Sequence, residues 1–171
     1  MKLIAIIGAR PQFIKHFPFE KACQNKIDLK TIHTGQHYDA NMSDVFFSQF
    51  GMKKADYMLN IGSANHGVQT ANMMIEIESI IENEQPDAMV VYGDTNSTLA
   101  GALIAAKLHV PILHIEAGLR SYNKEMPEEV NRVLTDHISK LLFVPSDVSL
   151  NNLQKEGITD NVHMVGDVMR F

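Results

Sequence analysis

Ala88-Met89-Val90-Val91-Tyr92-Gly93-Asp94-Thr95-Asn96-Ser97-Thr98-Leu99-Ala100-Gly101-Ala102 decides the fold. Five apolar residues without alternation read as a strand buried on both faces, Gly93-Asp94 as the turn after it, and the Ala-rich run 95–108 as a helix. The same unit recurs on both sides of it. Upstream, residues 3–7 read as a strand, 12–23 as a helix, 29–34 as a strand, 43–50 as a helix and 66–82 as a long helix stopped by Pro86. Downstream, strands at 111–115, 141–144 and 162–165 alternate with helices at 128–139 and 146–156. Continuous apolar strands separated by helices imply a doubly wound α/β domain with a mainly parallel sheet and helices on both faces. In such sheets ligands bind outside the carboxyl ends of the strands, so the polar residues just after each strand carry the functional information.

Composition narrows the classes of function. The chain has 171 residues, 45% of them apolar, enough for one domain with its own core. Its net charge of −5 argues against a nucleic-acid partner. A single cysteine, Cys23, rules out a disulfide framework or a Cys-based metal site. No apolar run approaches the roughly 20 residues that span a bilayer, and the apolar stretch at the N-terminus is too short for a signal peptide. The expectation is a cytoplasmic protein without a membrane partner. The chain closes on a strand and the turn 166–167, where a complete domain often closes with a helix, so further chain is expected after it.

Three turns hold candidate chemistry. Gly8-Ala9-Arg10-Pro11-Gln12-Phe13-Ile14-Lys15 sets two cations near a helix start, which suits a phosphate, yet it lacks both the Walker and the dinucleotide glycine spacings. An ordinary strand-to-helix turn with Pro11 opening the helix fits it too. Asp94 stands just before a helix, where it or Thr95 can serve as N-cap. Glu116 directly follows a strand with no helix starting behind it, which capping does not explain. If the two strands pair, Asp94 and Glu116 are neighbours suited to acid/base work. In Met126-Pro127-Glu128-Glu129-Val130-Asn131-Arg132, helix-start chemistry accounts for Glu129, i,i+4 spacing links Arg132 to Glu128 and Asp136, and Glu128 stays open. Among eight histidines none has zincin spacing, and His114-Ile115-Glu116 lacks the cysteines of a zinc deaminase, so no metal is expected. His37 and His66 lie in polar loops, where ligand contact and simple exposure are both open.

The ordered series G-x-R-P-x-x-I-K (8–15), G-D-T (93–95), H-I-E-A-G-L-R (114–120) and P-E-E-x-N-R (127–132) resembles the non-hydrolysing UDP-N-acetylglucosamine 2-epimerases, and the likeness runs from the first residues to Asp167. That resemblance implies the Rossmann-like N-terminal half of a GT-B type fold over residues 1–167, with 168–171 opening the connection to a C-terminal UDP-binding domain that this chain lacks. It implies interconversion of UDP-GlcNAc and UDP-ManNAc by elimination of UDP to a 2-acetamidoglucal and re-addition to the opposite face, with no cofactor. The route calls for a proton-transfer group on each face of C2 and cations for the departing diphosphate.

Carried over residue by residue, the resemblance makes Asp94, Glu116 and Glu128 the acid/base carboxylates. Arg10 binds the diphosphate with support from Lys15, Arg132 orients Glu128, and His37 and His66 are candidate substrate contacts. The full-length protein is expected to be a homodimer. Gln36-His37-Tyr38-Asp39 departs from the Q-H-R-E-type loop of the allosteric site in many bacterial members. Epimerases of other UDP-2-acetamido sugars, hydrolysing epimerases and a sugar-nucleotide-binding module without turnover are the alternatives.

Overall fold

The computed structural model of the chain describes residues 1–36 and 51–168; the helix expected at 43–50 and the candidate His37 lie outside the described residues. The elements are β1 (Lys2–Ile7), α1 (Arg10–Cys23), β2 (Asp28–His33), β3 (Tyr57–Met58), α2 (His66–Glu84), β4 (Ala88–Tyr92), α3 (Asn96–Lys107), β5 (Ile112–Ile115), α4 (Pro127–Ile138), β6 (Leu141–Val144), α5 (Asp147–Lys155) and β7 (Val162–Met164). They match the elements expected from periodicity to within two residues at each end. The exception is β3, a two-residue strand too short to show a period.

All seven strands are parallel, in the order β3-β2-β1-β4-β5-β6-β7. The order reverses between β1 and β4, which pair through Leu3↔Ala88 and Ala5↔Val90. This junction is the topological switch point, where a doubly wound sheet opens a crevice.

Alternate residues of the central strands feed two cores. Ile4, Ile6, Met89 and Val91 pack with Met73 and Ile77 of α2 and the alanines of α3. Ala5, Ile7, Val90 and Tyr92 pack with Phe13 of α1 on the opposite face. Every residue of β4 is buried, so the strand can read as one uninterrupted apolar run. Further along the sheet, Leu142, Val144 and Leu153 form a third cluster that seats α5. Among the described residues no helix is long and apolar enough to cross a membrane.

Candidate site at the carboxyl ends of β1, β4 and β5

Gln12 ties the two sides of the switch point together. Its Oε1 accepts the N–H groups of Gly8 (2.7 Å) and Ala9 (3.0 Å), while its Nε2 donates to the Tyr92 carbonyl (2.9 Å) and the hydroxyls of Thr95 and Thr98. The turn after β1 is thereby fastened to the turn after β4. Gly8 is required by close approach, since a Cβ there would lie 2.3 Å from Thr34 Oγ1 and 2.4 Å from Ser97 Oγ. Its role is close packing at the junction.

The turn after β4 separates capping from the candidate carboxylate. Thr95 is the N-cap of α3, its hydroxyl accepting from Thr98 N–H at 3.3 Å. Asp94 is left to reach across to α4, where Arg132 Nη2 donates to its Oδ2. The other end of that guanidinium, Nη1, donates to Glu129 at 3.0 Å. Arg132 thus joins Asp94 to Glu129, where the spacing had pointed to Glu128. Asn131 Nδ2 holds the Asp94 carbonyl (2.9 Å) and Asn96 Oδ1 (3.1 Å), and Asn96 Nδ2 in turn meets His66 Nδ1 (3.0 Å) and Gln69 Oε1 (2.9 Å). A chain of amides thereby connects His66, at the exposed start of α2, to the Asp94 turn.

Glu116 follows β5 with φ of 69°, a left-handed conformation that an L side chain pays for in strain. That turn brings its carboxylate against Lys15 Nζ of α1, and the two form an ion pair in which Lys15 is only 6% exposed. Gly93 lies between the strands' ends with φ of +64°, and a Cβ there would sit 3.9 Å from Lys15 Nζ and 4.0 Å from Glu116 Oε1. Because β4 and β5 pair through Tyr92↔Ile115, Asp94 and Glu116 emerge side by side. Lys15, read from sequence as support for a phosphate, is committed to Glu116 in this structure.

Glu129, read from sequence as a first-turn acid, and Asp136, read as an i,i+4 partner of Arg132, are buried anchors. Glu129, 2% exposed, accepts the N–H groups of Ser121 (3.0 Å) and Tyr122 (2.9 Å). Burial works to raise its pKa, but those two bonds and Arg132 outweigh it and hold the carboxyl below its ordinary value. Asp136 accepts from His114 Nδ1 (2.6 Å), Gly118 N–H (3.1 Å) and Arg120 Nη1 (2.7 Å), so it is paired with neither Arg132 nor solvent. His114 and Arg120 belong to the quoted motif, but nothing in the spacing pointed to Asp136 as their common partner.

Arg10 and Glu128 are exposed at the N-termini of α1 and α4, the same end of the sheet as Asp94 and Glu116. No group of three or more His, Cys, Asp or Glu among the described residues is placed to hold a metal ion. The arrangement offers two neighbouring, partly exposed carboxylates, each set against a cation, at the carboxyl ends of β4 and β5. Such groups can give and take protons on either side of a bound molecule.

A doubly wound, all-parallel sheet with its polar groups gathered at the switch point defines the chain as a Rossmann-like α/β protein. The family model for UDP-N-acetylglucosamine 2-epimerase matches residues 21–170, and the chain belongs to that family. It is 55% identical to the UDP-2,3-diacetamido-2,3-dideoxy-D-glucuronate 2-epimerase of Pseudomonas aeruginosa, over 99% of this chain and 49% of that protein. It is 51% identical to the UDP-N-acetylglucosamine 2-epimerase of Methanocaldococcus jannaschii, over 99% of this chain and 47% of that one. The crystal structure of the M. jannaschii enzyme in complex with UDP-GlcNAc and UDP superimposes with a TM-score of 0.95 over 98% of this chain and 47% of its own. The chain spans about half the length of the curated relatives it matches.

Proposed function

We propose that the chain is the N-terminal half, residues 1–167 with 168–171 opening the connection onward, of an enzyme that interconverts UDP-GlcNAc and UDP-ManNAc. Asp94, Glu116 and Glu128 supply the acid/base carboxylates and Arg10 the diphosphate contact. C2 of the sugar has no neighbouring carbonyl, so its proton leaves in an elimination that expels UDP, and re-addition from the other face completes the inversion. The observation that carries this reading is the pairing of Asp94 with Arg132 and of Glu116 with Lys15 on two sides of the Gly93 turn. Each carboxylate is held in place by its ion pair yet partly exposed, so a bound molecule can reach it. His66, hydrogen-bonded to Asn96, stands at the rim as a substrate contact.

Incubation of the full-length protein with UDP-GlcNAc tests the assignment. UDP-ManNAc accumulating without free sugar is the expected result; free ManNAc with UDP identifies a hydrolysing enzyme, and no reaction overturns the reading. A second substrate has a specific observation behind it, the 55% identity to the diacetamido-glucuronate epimerase against 51% to the M. jannaschii enzyme. The ratio of kcat/KM for the two UDP sugars decides between them.

A further inference from the structure

His114 is fully buried on β5, two residues before Glu116, and its ring is bracketed by acceptors. Nε2 lies 2.7 Å from the Gly93 carbonyl oxygen, which can only accept, so Nε2 carries a hydrogen. Nδ1 lies 2.6 Å from Oδ1 of Asp136. Oδ2 of the same carboxyl accepts from Arg120 Nη1 and the Gly118 N–H. Burial works to raise the pKa of Asp136, but its partners His114 and Arg120 hold it below its ordinary value. The ring therefore spans the Asp136 carboxyl of α4 and the backbone carbonyl of the turn after β4, one nitrogen facing each.

We propose that His114 is a positioning residue that holds the Asp94–Glu116 pair in place through the carbonyl of Gly93. The proposal rests on the assignment of those two residues to proton transfer. In a trans peptide the carbonyl and the following N–H point in opposite directions, so drawing the Gly93 oxygen toward His114 directs the Asp94 N–H away from the ring and sets the plane from which Asp94 departs. The same Gly93 borders Lys15 and Glu116 on its open side. Without the ring, the Gly93 carbonyl loses the donor that orients it and Asp136 loses one of its buried partners. The charged groups around the ring are Asp136 from α4 and Arg120 from the loop after β5, with Glu156 behind Arg120 at the end of α5. Across Gly93 stand the pairs Lys15–Glu116 and Asp94–Arg132.

The hydrogen bond to Gly93 is read directly from the 171-residue chain labelled with 15N-histidine, in long-range proton–nitrogen correlation spectra. A hydrogen on Nε2 of His114 is the expected result, and a bare Nε2 overturns the proposal. Positioning is read from H114Q and D136N in the full-length protein. Gln does not reach both the Gly93 carbonyl and Asp136 as the ring does, and Asn removes the carboxylate that holds the other side of the ring. Both variants are expected to lower kcat for UDP-GlcNAc about 10-fold or more, the scale for a slightly misplaced catalytic group, with KM within about threefold of wild type. Wild-type kcat in a folded H114Q or D136N overturns the positioning role, and should H114Q not fold, D136N and the spectra decide. Absence of turnover by the wild-type protein overturns instead the assignment on which the positioning role rests, and the spectra still decide whether Nε2 donates to Gly93.

Discussion

Lys15 and Glu116 form an ion pair beside Gly93, joining α1 to the end of β5 across the intervening strand β4. Lys15 is almost wholly buried, so its ammonium depends on that carboxylate for charge balance, while Glu116 keeps an open side to solvent. One partner is held as structure and the other is left available.

Asp94→Asn and Glu116→Gln in the full-length protein are each expected to lower kcat roughly 100-fold or more, the usual scale for a positioned acid or base. Glu116→Gln also strands Lys15 and should cost about 1–3 kcal/mol in urea unfolding. Steady-state kinetics check the first effect, and an unchanged rate in either variant would reduce that residue to a structural one.

Two glycines at the switch point are expected to fail in different ways when replaced by alanine. Gly8→Ala drives a methyl group between Thr34 and Ser97, whose hydroxyls are hydrogen-bonded at 2.8 Å, and should destabilise the fold by about 1–3 kcal/mol. Gly93→Ala meets only ordinary contacts, so its cost is the strained left-handed backbone, about 1 kcal/mol, with the larger loss in turnover because the turn between Asp94 and Glu116 shifts. Urea midpoints and kcat measured on both variants separate the two; equal loss of stability in both would be the wrong outcome.

Much of this arrangement is legible in the sequence because strands buried on both faces leave uninterrupted apolar runs, and β4, from Ala88 to Tyr92, is read to the residue. The position of Asp94 and Glu116 at the ends of adjacent strands follows from the same reading. Partners set by tertiary distance are not legible. Arg132 lies four residues from Glu128 along α4, yet it reaches Asp94, which the fold brings opposite it. Asp136 looked like a surface acid at helical spacing and is the buried link between His114 and Arg120. β3 escaped because two residues hold no period, and its place at the sheet edge is fixed by pairing with Ile32 and His33.

Acid should weaken the fold in two stages. His16 is 1% exposed, bonded to the Tyr92 hydroxyl and to Thr31, and burial lowers its pKa to about 4 from 6.5. Between those values the unfolded chain takes up a proton that the folded one refuses, so stability is full above pH 6.5 and falls as pH drops toward 4, by roughly 3 kcal/mol. His33, also lowered to about 4 by burial, acts in the same window. Glu129 and Asp136, both lowered, add a second loss at more acid pH, as they are protonated in the folded state. Urea midpoints measured from pH 8 to 3 should show both stages, and His16→Gln should flatten the first; an unchanged slope in that variant would remove His16 from the account.

The 171-residue chain alone is expected to bind UDP-GlcNAc weakly and not to epimerise it. The carboxylates sit at the rim of one sheet, with Arg10 and Glu128 exposed, and the relatives the chain matches are about twice as long. One wall of a crevice can neither exclude water nor hold UDP between elimination and re-addition. Exchange of solvent deuterium into C2 of UDP-GlcNAc is the sensitive measurement, because even an abortive deprotonation leaves label in the sugar. No label above the enzyme-free control is expected from the chain, against ready incorporation by the full-length protein. Label appearing at a comparable rate in both would show that residues 1–171 suffice for catalysis, and the reading of this chain as one half of the active site would fall.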